Sequence, residues 1–219
     1  MRESKKNKRE RFGNIVDELK KLYPLALCSL EYNNEPWKLL VMGRLSAQCT
    51  DARVNIVCRE LFDKYKTARE LANGDITDIE NTIRSCGLYK TKADSIKRSC
   101  KMLVEEYNGV LPDNIDELLK FPGVGRKIAN LLLGDIYHKA AIVADTHCIR
   151  ICGRLAAYKT DIKNPLVTER IMSELIESEE QSDFCHRIVL FGREYCTARS
   201  PKCGACPIGA KGLCPQKQK

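Results

Sequence analysis

The sequence predicts an all-α protein of roughly ten helices, on periodicity and on end signals. Three observations carry this prediction. Apolar residues recur at three- and four-residue spacings along most of the chain. Ser, Thr, Asn or Asp stands before many of these stripes and Gly stands after several. The one strand-like run, Ala140 to Val143, is short.

The elements follow in order. Phe12, Ile15, Val16 and Leu19 form a first stripe. Val54, Val57, Cys58, Leu61, Phe62 and Tyr65 form a cleaner one, with Thr50 or Asp51 as its N-cap. Thr67 and Glu70 have capping-box spacing, and Gly74 can end that short helix. Helices over 77–86 and 91–108 stop at Gly87 and Gly109. Asn114 with Glu117 is a second capping box, opening a short helix to about Lys120. Further helices are expected over 126–137, 146–157, 165–178 and 182–196, the third with Pro165 at its first position after Asn164.

Composition narrows the function. With 219 residues, 43% hydrophobic and 30% charged, the chain can fold one large or two small domains around a core. A net charge of +8 points to a polyanionic partner, nucleic acid before an acidic membrane. A solvated basic surface is the plain alternative. No run approaches the ~20 apolar residues that span a bilayer. The start, MRESKKNKRERFGN, lacks the apolar core of a secretory signal. A cytoplasmic location is therefore expected. Arg2, Lys5, Lys6, Lys8, Arg9 and Arg11 read as a mobile, solvated tail more than as phosphate contacts.

There are twelve cysteines. Without an export signal, a disulfide scaffold is not expected. Cys28, Cys49, Cys58, Cys86, Cys100, Cys148, Cys152 and Cys185 read as small buried hydrophobes. Cys196, Cys203, Cys206 and Cys214 differ, because their C-x6-C-x2-C-x7-C spacing can enclose one ion or one cluster. Zinc and a [4Fe–4S] cluster both accept four thiolates. No base stands beside them, so the site reads as structural. Arg199 and Lys202, between the first two ligands, would then be presented to phosphate.

Residues 115–137 read as helix, tight turn, helix. Gly123 and Gly125 in the turn FPGVG allow close backbone approach, and the N–H groups opening the next helix favour an anion. Arg126 and Lys127 follow at once. A helix N-terminus is a poor place for an ammonium ion. That position, the Arg126 charge and partial burial would each favour the neutral, nucleophilic amine. Lys127 therefore reads either as a nucleophile or as one more phosphate contact. Asp145, in IVADTHCIR, reads as a helix N-cap that can also face a substrate. A fixed carboxylate stabilises positive charge developing on a sugar as a glycosidic bond breaks.

The segments LSAQCTD, CGLYKTKA, LKFPGVGRKIAN and VADTHCIR, with the terminal cysteines, resemble in order the endonuclease III family. These are bifunctional DNA glycosylase/AP lyases of the helix–hairpin–helix superfamily. The resemblance runs from about residue 10 to Cys214. It implies a cleft between a six-helix domain, 29–138, and a discontinuous iron–sulfur domain, 1–28 with 139–219. It implies Lys127 as Schiff-base nucleophile, Asp145 as catalytic aspartate, and the four terminal cysteines as [4Fe–4S] ligands. Gln48 matches the residue that fills the gap left by a flipped nucleotide, Leu88 the wedge, and His147 a residue near the lesion. Taken locally, Gln48 reads as a helix-end polar group, Leu88 as a core leucine and His147 as a surface residue. The family usually has five residues between its last two cysteines, and here there are seven.

The implied activity is removal of oxidised pyrimidines from duplex DNA, with β-elimination at the abasic site, by a monomer acting on chromosomal DNA and not at a membrane. Two alternatives stand beside it. A monofunctional adenine-mismatch glycosylase of the same superfamily shares the turn and cluster but lacks a lysine at the position of Lys127 and carries an extra C-terminal domain. A non-enzymatic DNA-binding module with a zinc staple leaves the Lys127–Asp145 pair without purpose.

Overall fold

The structure, a computed structural model, describes residues 3–25 and 27–216. Twelve α-helices and three 3-10 turns make up its regular structure, and no strand forms among the described residues. The chain divides into two compact units, Cys28–Tyr137 and Met1–Leu27 with His138–Lys219.

The first unit holds α2 (Pro36–Leu45), α3 (Asp51–Lys64), α4 (Ala68–Asn73), α5 (Ile76–Ile83), α6 (Tyr89–Glu105), α7 (Ile115–Leu118) and α8 (Arg126–Tyr137). The expected caps form: Thr50, Thr67 and Asn114 each accept a backbone N–H three residues on, and Asp75, not anticipated, does the same for α5. At α4 the capping box closes one residue early, because Glu70 Oε2 takes the N–H of Lys66 at 2.7 Å. Helix α2 was not expected. It buries Leu39, Leu40, Val41, Met42, Gly43 and Leu45, so it is apolar on nearly every side and shows no 3.6-residue alternation. It packs on α8 and α6, and its Leu39, Leu40 and Leu45 join Leu61, Ile79, Ile83, Ile96, Leu103, Leu118 and Leu132 in the core. Phe121 stacks on Tyr107 with ring centroids 5.1 Å apart, which anchors the turn before α8.

The second unit holds α1 (Lys5–Leu22), α9 (Thr146–Arg154), α10 (Pro165–Leu175), α11 (Gln181–Glu194) and α12 (Pro207–Ala210). The basic N-terminus is not a tail. Ser4 caps α1, and Phe12, Ile15 and Leu19 are fully buried on its inner face. Four of its cations are engaged within the unit: Lys5 pairs with Glu174, Arg9 with Glu177, Lys8 donates to the carbonyl of Ala157, and Arg11 donates to those of Leu155 and Leu213. Arg2 lies outside the described residues. The strand-like run 140–143 forms no strand; Ala140 is exposed, while Ala141, Ile142 and Val143 are buried in the segment leading to α9. Cys58, Cys86, Cys100, Cys148, Cys152 and Cys185 are buried as expected, and Cys28 and Cys49 half-buried.

Candidate active site

Helix α8 begins without a side-chain cap, since Gly125 precedes it. Eight other helices have one, from Ser4, Thr50, Thr67, Asp75, Asn114, Asp145, Asn164 and Cys206. Gly125 therefore offers no side-chain acceptor to the first turn of α8, and a helix start of this kind suits an external anion. The two glycines of the turn serve different ends. Gly123 has φ +78°, and a Cβ there would fall 2.7 Å from Arg44 Cδ and closer still to Nε. The fold itself requires that glycine. Gly125 is exposed, and a Cβ there would meet no protein atom within 4 Å. Nothing inside the chain explains Gly125, whereas close approach by an outside group does.

Arg126 and Lys127 are both exposed. Partial burial was expected to favour the neutral form of Lys127. The structure corrects this, because α8 buries Ile128, Ala129 and Asn130 and turns Lys127 outward. Among the described residues, no hydrogen bond or ion pair engages its ammonium group.

In the same unit, Gln48 and Leu88 share an unusual backbone. Both are left-handed, with φ 54° and 47°. Leu88 is 58% exposed, which corrects the local reading of it as a core leucine. A leucine held in that conformation with its side chain in solvent is costly twice over, a pattern found at functional positions.

In the other unit, Asp145 caps α9, and its Oδ1 accepts the N–H of Cys148 at 2.7 Å. Its Oδ2 lies 3.6 Å from His147 Nδ1, an electrostatic contact too long for a good hydrogen bond. His147 is half-buried, not a free surface residue. It packs over Gly192 of α11, where a Cβ would fall 2.7 Å from its Cδ2. That close approach fixes the imidazole beside the carboxylate.

The four terminal cysteines surround α12 in the same unit. Their sulfurs already receive polar contacts: Arg154 Nη1 lies 3.4 Å from Cys196 Sγ, and the N–H of Gly209 donates to Cys206 Sγ at 3.4 Å. Arg154 also grips the carbonyls of Thr197 and Ala198 at 2.7 and 2.8 Å. Burial raises the Cys214 thiol, and the three other thiols add to the rise, so the four sulfurs sense one another. The extra residues between Cys206 and Cys214 are taken up by α12 and a turn at Gly212, φ +69°. Among the described residues, no three His, Cys, Asp or Glu side chains are grouped for a single metal ion. A [4Fe–4S] cluster instead takes four separate thiolates and is tuned by hydrogen bonds to sulfur, which this donor set provides. Arg199 and Lys202 are exposed on the loop between Cys196 and Cys203.

The comparisons with known proteins decide the family. A model of the HhH-GPD superfamily of base excision DNA repair proteins matches residues 41–178. The chain is 42% identical to endonuclease III of Synechocystis sp., over 97% of this chain and 95% of that protein. It belongs to the endonuclease III family. Family members from Bacillus subtilis and Escherichia coli K12 are 39% and 33% identical, over 93% and 97% of this chain and 91% and 98% of theirs. A solved non-covalent endonuclease III–DNA complex superposes with a TM-score of 0.87 at 40% identity, covering 94% of this chain and 95% of that one. A trapped endonuclease III–DNA covalent intermediate gives the same values. A thermostable thymine-DNA glycosylase shares the fold, with a TM-score of 0.84 at 21% identity over 97% of this chain and 98% of that one. The iron–sulfur binding domain of endonuclease III matches residues 196–209, and the family's cofactor is a [4Fe–4S] cluster, not zinc.

Several participants escaped the sequence reading. Arg154, Gly192 and Arg44 act through partners distant in the chain. Lys92 had a visible signal, as a lysine on the same helical stripe as Ile96 and Cys100.

Proposed function

We propose that this chain removes damaged bases, oxidised pyrimidines foremost, from duplex DNA and then cleaves the abasic strand, with Lys127 as nucleophile and Asp145 as the fixed carboxylate. The observation that carries the reading is Lys127 itself. It is an exposed amine, without a hydrogen bond or ion pair among the described residues, in the first turn of a helix that starts directly after Gly125, a glycine that no internal contact explains. A phosphate seated on the turn brings a sugar to that amine.

The chemistry follows from the two groups. The Lys127 amine attacks C1′ as the glycosidic bond breaks, and the base leaves with the bonding pair and takes up a proton. The Asp145 carboxylate stabilises the positive charge that develops on the sugar. The attached nitrogen gives up one proton and keeps the other; the ring then opens as O4′ leaves with the C1′–O4′ bonding pair and takes up a proton, which gives a protonated imine between Lys127 and C1′. That imine acidifies the C2′ hydrogen. Its removal expels the 3′ phosphate, and the strand breaks by β-elimination.

Base removal requires extrusion from the stack. Leu88 serves as the wedge and Gln48 fills the gap, while His147 approaches the DNA beside Asp145. Gly123, Gly125 and Arg126 form the phosphate-binding turn. Cys196, Cys203, Cys206 and Cys214 would hold the cluster, which when bound supplies a rigid anchor that presents Arg199 and Lys202 to the backbone. The protein acts as a monomer on chromosomal DNA. The deciding experiment is incubation with an abasic duplex and borohydride. A covalent protein–DNA adduct is expected, and its absence would overturn the reading.

A further inference from the structure

Lys92 is fully buried, and among the described residues no carboxylate pairs with it. Its ammonium donates instead to three main-chain carbonyls, of Leu45 at 2.9 Å, Ala47 at 2.7 Å and Cys86 at 2.8 Å. An ammonium has three N–H donors, so all are used. Burying a charge against neutral carbonyls alone is a costly way to fill space. A methionine would fill the same volume without that cost.

The three acceptors have one thing in common. Leu45 ends α2, and Ala47, two residues on, leads directly into Gln48. Cys86 ends a 3-10 turn that leads through Gly87 into Leu88. These are the two left-handed, strained positions, and Leu88 opens the helix that carries Lys92. Strained backbone persists only where its surroundings hold it. One buried ammonium therefore pins both turns, and pins them to each other. The same face of α6 holds the phosphate-binding turn. Ser95 Oγ accepts from Arg44 Nε at 2.8 Å, beneath Gly123, and Ser99 Oγ donates to the Pro122 carbonyl at 2.9 Å. Ser95 and Ser99 are buried too.

We propose that Lys92 is a positioning residue for base extrusion, bracing the Gln48 and Leu88 turns so that both side chains enter the duplex together at a fixed separation. This rests on the reading of the protein as a duplex DNA glycosylase. Lys92 touches neither base nor sugar. It acts through the two turns, and so only on substrates whose base must be taken out of a stack.

The test uses the full-length protein with Lys92→Met, which keeps the stem and removes the donors, and Lys92→Gln, which keeps part of the donor set. On duplex DNA containing thymine glycol, Lys92→Met should release base ~10- to 100-fold more slowly, the scale of a small misplacement. The 2-aminopurine fluorescence rise at the position opposite the lesion should shrink with it. Borohydride trapping on a single-stranded abasic oligonucleotide should be unchanged, because no extrusion is needed there. Lys92→Gln should fall between. In a Gln48→Ala, Leu88→Ala background, Lys92→Met should cost less than ~2-fold more, since residues acting through one path are not additive. Full-rate duplex release by folded Lys92→Met, equal losses on both substrates, or a full further loss in that background would overturn the proposal. Failure of the unaltered protein to release base or to trap would instead overturn the functional reading. If both variants fail to fold, hydrogen exchange on the unaltered protein decides. The amides of Cys49 and Gly87 should exchange as slowly as those within α6, and exchange at loop rates would overturn the brace.

Discussion

Asp145 accepts the backbone N–H of Cys148 through Oδ1 at 2.7 Å and places Oδ2 3.6 Å from His147. One carboxylate thus caps α9 with one oxygen and turns the other toward a histidine on the same helix. In the proposed mechanism the same side chain carries both the cap and the chemistry, and substitution can separate them. Asparagine caps a helix about as well as aspartate. Asp145→Asn should therefore melt near the unaltered protein but release base ~10²-fold more slowly, having lost the fixed charge. Asp145→Ala should lose the cap as well, at about 1 kcal/mol of stability. Thermal melts alongside single-turnover base release distinguish the two variants. An unchanged rate for Asp145→Asn would reduce the residue to a cap.

The two glycines of the turn predict opposite phenotypes. Gly123→Ala forces a side chain into a left-handed backbone and against Arg44, and should cost ~1–3 kcal/mol of stability. Gly125→Val meets no internal atom, so the melt should move little. Its affinity for duplex DNA should nevertheless fall by about tenfold, alike for all sequences, because the backbone can no longer approach a phosphate. Affinity of the unaltered protein should also drop steeply with salt. Binding by Gly125→Val at full strength, measured by fluorescence anisotropy, would leave the turn a mere corner.

Most of the fold was legible because its signals are local. Thr50, Thr67, Asn114 and Asn164 cap helices by bonding N–H groups two or three residues away, so a short window of sequence contains the whole interaction. Helix α2 was hidden because its neighbours cover nearly every face of it, and apolar residues then lose their period. The N-terminal cations looked like a tail because Glu174 and Glu177, which pair with them, lie more than a hundred residues downstream. Lys127 and Asp145 could be picked out from their positions at helix starts. Lys92 could not be given a role, since its meaning resides in three carbonyls, two of them 47 and 45 residues away.

The cysteine loop predicts a colour and a fragility. The purified protein should be yellow-brown, with broad absorbance near ~400 nm from iron–sulfur charge transfer, and should contain iron. Zinc without iron in anaerobically purified protein would contradict the cluster. Cys203 is exposed, so Cys203→Ser introduces no buried polar group. The variant should lose the anchor of its loop, and trypsin should cut sooner at Arg199 or Lys202. On the proposed roles, in which the loop binds backbone and Lys127 does the chemistry, DNA affinity should fall more than the single-turnover rate on saturating abasic duplex. A rate loss larger than the affinity loss would place the cluster closer to the reaction than this geometry supports.

Lys127 gives the sharpest prediction. Its amine is exposed in the first turn of α8, and among the described residues no hydrogen bond or ion pair occupies it. Lys127→Gln keeps a polar side chain of similar reach but cannot form an imine. It removes an unfavourable charge from a helix N-terminus, so its stability should hold or rise slightly. It should still bind an abasic duplex through the glycine turn. Borohydride trapping and strand cleavage should both vanish together, because the imine is the common intermediate of both. If the variant still traps, another amine is the nucleophile. If it cleaves the abasic strand without trapping, the break does not pass through an imine on this helix, and the assignment of the turn falls with it.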